Sequence, residues 1–197
     1  MNRKPCLMIT LDPQTTALVL IDLQNGIVGL PLAPRPGTEV AQRGREVARR
    51  FRSAGSAVVL VGVGFAPDFA DAPSQPVDQP MARPEGGLPE NWGTLVDDLK
   101  QAGDLTIVKR QWGAFYGTEL DLQLRRRGMK TIVLGGIATN FGVESTARLA
   151  WEHGYAVVIP EDLCTSVSAE LHQLAVRHIF PRISRVTRSD DLAFAAA

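Results

Sequence analysis

Apolar positions along this chain follow two different periods. Ala17-Leu18-Val19-Leu20-Ile21 is continuously apolar and rich in β-branched residues, the pattern of a strand buried on both faces. Ala57 to Val61, Leu105 to Val108, Thr131 to Leu134 and Ala156 to Ile159 repeat it, and Ile183 to Val186 makes a sixth run. Stretches of helical spacing lie between them. Glu39 to Arg52 carries Val40, Val47, Ala48 and Phe51 on one face, and Gly55 is a stop signal. Thr118 to Arg127 ends at Gly128, with Thr118 as its N-cap. Gly142 to His153 ends at Gly154, and Ser168 to Phe180, capped by Ser168, stops before Pro181. This alternation predicts a three-layer α/β/α fold. Its centre is a six-stranded, mainly parallel, Rossmann-like sheet with right-handed crossovers.

One segment breaks the pattern. From Phe65 to Asn91 the chain holds six prolines, at 67, 73, 76, 80, 84 and 89, and little periodicity. Such a long connection is a lid, a subunit-contact loop or a disordered insert.

Composition narrows the class. The chain has 197 residues, 21 basic and 21 acidic side chains and 45% hydrophobic residues, which suits one domain spanning 1–197. A chain of this length builds a core without disulfides or a structural metal. The balanced charge argues against a nucleic-acid partner. No apolar run reaches the length of a membrane span, and the one in Met1 to Thr10 is too short for a signal peptide, so the expected location is the cytoplasm. Cys6 and Cys164 fit neither a redox CxxC nor a zinc site and read as plain thiols. His172 and His178 read as surface or core-edge residues.

In open parallel sheets, ligands bind beyond the carboxyl ends of the strands. There the chain places Asp22-Leu23-Gln24-Asn25 after the first run and Gly62 to Asp68 after the second. Lys109-Arg110-Gln111-Trp112-Gly113 follows the third run, and Gly135-Gly136-Ile137-Ala138-Thr139-Asn140-Phe141-Gly142 the fourth. Position alone leaves Asp22 equally open to capping a turn and to catalysis, and a lone Lys109 would snorkel to solvent. There is no dinucleotide fingerprint, phosphate-binding GxxxxGK[ST] loop or GxSxG elbow.

Taken together, the strand-end segments resemble the isochorismatase-like hydrolase family, also called the cysteine hydrolase superfamily. The matching segments are Ala17 to Asn25, Lys109 to Leu120 and Gly135 to Ala147. The likeness is greatest to a bacterial branch that carries the last two almost unchanged. The resemblance implies a triad of Asp, Lys and Cys, of which Asp22 and Lys109 fill the first two places. The third falls on Gly142, so the nucleophile is missing and thiolate acyl-enzyme chemistry with it. No histidine follows Asp68, so the metal site of the nicotinamidase branch is missing too, and no metal or cofactor is expected. True isochorismatases also have glycine at this place, with a Gln at the end of the second strand and an Arg in the following insert. Here the strand ends in Val63-Gly64, and Arg83 is a loose candidate for the Arg.

The resemblance further implies a cis peptide at Ile137–Ala138, turning backbone N–H groups between Ala138 and Gly142 toward a pocket. These N–H groups, with the start of the following helix, would hold an oxyanion or a substrate carboxylate; Thr139, Asn140 and Phe141 belong to the same turn. Asp22 would act as general acid or general base beside Lys109, its apo carboxylate ionised. Phe65, Trp112 and Phe115 read as pocket walls or as core and interface aromatics. Gln24 either binds ligand or orients the Asp22 loop. The implied function is hydrolysis of a small, carboxylated or amide-like metabolite without a covalent thiol intermediate. The alternative is a ligand-binding or scaffolding member that lost catalysis with its cysteine. A homo-oligomer, dimer or tetramer, is expected, with the insert covering a neighbour's pocket.

Overall fold

The structure, a computed structural model, describes residues 8–195. Cys6 and the segment before Met8 lie outside the described residues. β2 (Thr16–Ile21), β3 (Ala57–Val63) and β5 (Thr131–Ile137) are buried almost throughout, as their unbroken apolar runs require. The main sheet runs β4 (Leu105–Lys109), β3, β2, β5, β6 (Ala156–Pro160), β8 (Arg185–Thr187), and every pairing in it is parallel. Alternate residues of the sheet face opposite layers. Val19, Ile21, Val59 and Leu134 pack with Leu120, Leu124, Ala147 and Phe180. Leu18, Leu20, Leu60 and Val133 pack with Val40, Val47 and Phe51. The second group lies on α2 (Gly37–Ser53); the first includes α3 (Leu120–Arg126) and α4 (Glu144–Glu152). α1 (Asn25–Val28) is a single turn.

The sheet differs from the expected six strands at two places. A two-residue strand, β7 (Cys164–Thr165), pairs with Gly136 and Ile137 of β5, while β6 pairs with Thr131 to Val133. The neighbour of β5 therefore changes partway along it. β1 (Ile9–Leu11) pairs in parallel with β9 (Leu192–Phe194) as a separate two-stranded sheet. Three-residue strands carry too little periodicity to be read from sequence.

The helices also shift. Glu119 is the N-cap of α3, but the Thr118 hydroxyl accepts from Leu120 N–H at 3.2 Å, so Thr118 caps from one residue further out. Ser168 does cap α5 (Ala169–Leu174), accepting from Leu171 N–H. Pro181 does not end that helical stretch. A wide π turn, Ala175–Ile179, precedes α6 (Phe180–Ile183), and Pro181 occupies its second position, where proline lacks no needed donor. Ile183 is consequently helical, and the last main-sheet strand starts at Arg185. The helix expected from Gly142 also begins with a π turn, Thr139–Val143, closed by Val143 N–H to Ala138 O at 3.1 Å. No helix among the described residues is long and apolar enough to cross a membrane.

Candidate active site

The strand order reverses between β2 and β5, since β3 and β4 lie on one side and β6 and β8 on the other. The carboxyl ends of β2 and β5 therefore flank the crevice where such sheets bind ligands. Asp22 leaves β2 with φ at 54° and its N–H bonded to Val61 O at 2.8 Å. A left-handed non-glycine residue is held there only by its surroundings. Lys109 ends β4, two strands away, and its long side chain closes the gap. Nζ donates to Asp22 Oδ2 at 2.8 Å and to Gln111 O at 3.1 Å. Both residues are buried, with 6% of Asp22 and 2% of Lys109 exposed. Asp22 Oδ1 has no partner among the described residues.

Burial dominates the Asp22 carboxyl. It pushes the pKa up to about 6, although the Lys109 charge and hydrogen bond pull it down. At pH 7 such a group is about nine-tenths ionised and still accepts a proton readily.

The two glycines of the β5 end serve different purposes. Gly136 has φ at 125°, and a Cβ there would lie 2.1 Å from Ile21 O, so only glycine lets β5 cross so close to β2. Gly142 has an ordinary backbone. A Cβ on it would lie 3.0 Å from Ile21 Cγ2 and 3.3 Å from Asp22 Oδ2. Any side chain at 142 would thus grow beside the carboxylate. Within the turn the N–H groups of Phe141 and Val143 both bond to Ala138 O, so these two are internal. The Ile137–Ala138 peptide is cis.

A cavity of about 1000 Å³ opens at this pair. Asp22, Lys109, Phe65 and Trp112 all line it, and so does Arg83, which donates to Pro73 O at 2.8 Å. The insert walls the cavity of its own chain. The remaining expected contacts lie elsewhere. Phe115 is core: it stacks on His153 at 5.1 Å and packs against Tyr155 at 5.9 Å. Gln24 is buried, and its amide is fully engaged: Nε2 donates to Val63 O and Gly93 O, and Oε1 accepts from Val63 N–H. It orients the loop and does not reach the cavity. Ala138, Thr139, Asn140 and Phe141 do not line the cavity either. Phe141 backs Trp112, their centroids 4.8 Å apart, and Asn140 Oδ1 accepts from Ser166 Oγ.

His172 departs from the surface or core-edge expectation. It is fully buried, with Nδ1 2.8 Å from Thr139 Oγ1 and Nε2 without a partner among the described residues. Burial, with the Arg35 charge adding to it, pushes its pKa down to about 4. Trp92 was also missed. The chain just after the insert pairs with the Asp22 loop through Asn25 N–H to Thr94 O and Gly26 N–H to Trp92 O, which brings the indole onto the cavity wall. Only a tertiary pairing places it there.

A doubly wound α/β protein with a buried carboxylate–lysine pair at its switch point is the class these features define. The isochorismatase-domain family model matches residues 16–191, and the chain belongs to the isochorismatase family. It is 52% identical over 186 residues to the isochorismatase family protein YecD of Escherichia coli O157:H7, covering 94% of this chain and 98% of that one. It is 32% identical over 194 residues to the ureidoacrylate amidohydrolase RutB of Methylobacterium radiotolerans, covering 87% and 75%. Among solved structures, an isochorismatase family protein from Burkholderia thailandensis superposes with a TM-score of 0.88 at 43% identity, covering 94% and 96%.

Proposed function

We propose that this chain hydrolyses a small carboxylated metabolite without a covalent thiol intermediate, Asp22 carrying the proton. The single observation behind this reading is the buried Asp22–Lys109 pair, held at 2.8 Å on the cavity with one carboxylate oxygen unpartnered. For an amide or ester, the Asp22 carboxylate takes a proton from water and the resulting hydroxide adds to the carbonyl carbon. The Lys109 ammonium stabilises the oxyanion. Asp22 then returns the proton to the departing nitrogen or oxygen as that bond breaks, so the catalyst ends as it began. For an enol ether, protonated Asp22 would instead deliver the first proton to carbon; water would add to the oxocarbenium carbon and return a proton to Asp22, and the hemiketal would collapse to a carbonyl compound and an alcohol as the ether C–O bond breaks.

Arg83 supports a carboxylated substrate. It lines the cavity with no acidic partner among the described residues, and guanidinium groups favour carboxylates. The test is a turnover screen over enol ethers, esters and amides of small carboxylic acids, with Asp22→Asn as control. Asp22-dependent release of product is the expected result. Ligand binding without Asp22-dependent turnover on any member would overturn the enzyme reading and leave a binding protein, which the absent side chain at Gly142 favours.

A further inference from the structure

The cavity is roomier and more apolar than a short hydrophilic acid needs. Its volume of about 1000 Å³ sits at the upper end of the range for small-molecule pockets, roughly 300–1,000 Å³. Much of the lining beside the Asp22–Lys109 pair is apolar. Val77 and Met81 line it while 62% and 46% exposed, and Phe65, Trp92 and Trp112 add three rings. Pro73, Pro76 and Pro80 stand in the same wall, and a proline offers no backbone N–H. Ser74, Gln75 and Gln79 bring polar side chains between these prolines, while Val77 and Met81 leave uncovered apolar area, which gains free energy when covered.

We propose that the substrate is amphiphilic: its hydrolysable polar head sits at Asp22 and Lys109, and a medium-length apolar limb lies along Val77, Met81 and the rings. The inference rests on the hydrolase reading and names its substrate class. The apolar strip and the ion pair share one concavity, so a single molecule can span both. The charges agree, since among the described residues Asp22 is the one acid on the lining and Lys109, Arg83 and Arg110 are cationic, Arg110 being held by Asp71.

The experiment is calorimetric titration of the full chain with straight-chain alkanoates of four to ten carbons, and the matching alkanamides in parallel. The quantity read is the change in affinity per methylene, which does not depend on the head group. Affinity should rise about two- to fourfold per methylene in both series. Val77→Asp and Met81→Asp should flatten both. If either aspartate variant fails to fold, Val77→Thr, of nearly the same shape, reads the same loss. Flat series in the parent protein, or a slope that survives both substitutions, overturns the proposal. So does a dimer in sedimentation that either aspartate variant dissolves, because a second copy would then cover this wall. The hydrolase reading fails separately: chain-length-dependent binding with no Asp22-dependent turnover sinks that reading alone, and flat binding with such turnover sinks only the amphiphile.

Discussion

Lys109 Nζ lies 2.8 Å from Asp22 Oδ2, and the other oxygen of the same carboxylate has no partner among the described residues. One oxygen is thus fixed by charge and the other is buried without a partner among those residues. Burial holds the carboxyl at about 6, with Lys109 opposing the rise. Replacing Lys109 by Met removes that opposition, so the Asp22 pKa should climb above 6. Carboxyl-carbon NMR titration of the parent and Lys109→Met reads it directly; an unchanged midpoint would show that the pair is not coupled. The same group sets the pH–rate profile. A general base loses activity as pH falls through about 6; a general acid loses it as pH rises through the same value.

The pair also has a stability signature. A carboxyl raised from 3.8 to about 6 binds its proton more tightly in the folded state, so its contribution is fully present below pH 3.8 and is lost as pH rises through 6. The ionised pair at neutral pH therefore serves the site at some cost to the fold. Asp22→Asn combined with Lys109→Met should be at least as stable as the parent at pH 7 in urea unfolding, whereas Asp22→Asn alone strands a buried ammonium and should lose about 3 kcal/mol.

His172 titrates in the opposite sense. Its folded pKa is lowered from 6.5 to about 4, so its contribution is intact above pH 6.5 and is lost as pH falls toward 4. Thermal unfolding followed from pH 7 to 4 should show this loss, and His172→Gln should remove that part of the slope. Thr139→Val deletes the bond to Nδ1 and should cost about 1 kcal/mol at pH 7. A His172→Gln curve parallel to the parent would show that the imidazole is not the titrating group.

Gln24 offers a test of positioning against binding. Its amide holds Val63 and Gly93 through three hydrogen bonds. Gln24→Glu keeps an acceptor for Val63 N–H but sets a carboxylate against two carbonyl oxygens. It should lose about 2–3 kcal/mol of stability, more than a surface Gln→Glu change such as Gln101→Glu. Equal losses at the two positions in urea unfolding would mean that the amide does not lock the loop.

What sequence made legible follows from where the information sits. Ala17–Ile21 and Thr131–Leu134 declare buried strands in their own composition, and Asp22, Lys109 and the Gly136–Gly142 turn follow at strand ends in a readable order. Phe115, Trp92 and His172 do not declare themselves. Whether an aromatic faces the cavity or the core depends on a loop's direction, and Trp92 reaches the site only because residues 92–96 pair with the Asp22 loop. His172 reads as a surface or core-edge residue in sequence because the wide turn at Thr139, which supplies its partner, leaves no periodic trace.

Gly142 carries the last prediction. Its backbone is compatible with any residue, and the nearest obstacles to a Cβ, Ile21 Cγ2 at 3.0 Å and Asp22 Oδ2 at 3.3 Å, are side-chain atoms that must give by only a few tenths of an ångström. Gly142→Cys should therefore fold, at a cost of about 1 kcal/mol. In a Cys6→Ser background the only other thiol is Cys164, fully buried with its pKa pushed up to about 12, so alkylation reports position 142 alone. The Asp22 carboxylate beside the new thiol disfavours thiolate, and the Lys109 ammonium bonded to that carboxylate opposes it, so Lys109→Met should raise the midpoint of the thiol's reaction with iodoacetamide. If the substituted protein also gains thiol-dependent amidase activity, the machinery around the missing nucleophile is intact. Gly142 itself is buried and off the cavity lining, so a thiol there as silent as Cys164 would show that the added sulfur stays sealed from the cavity.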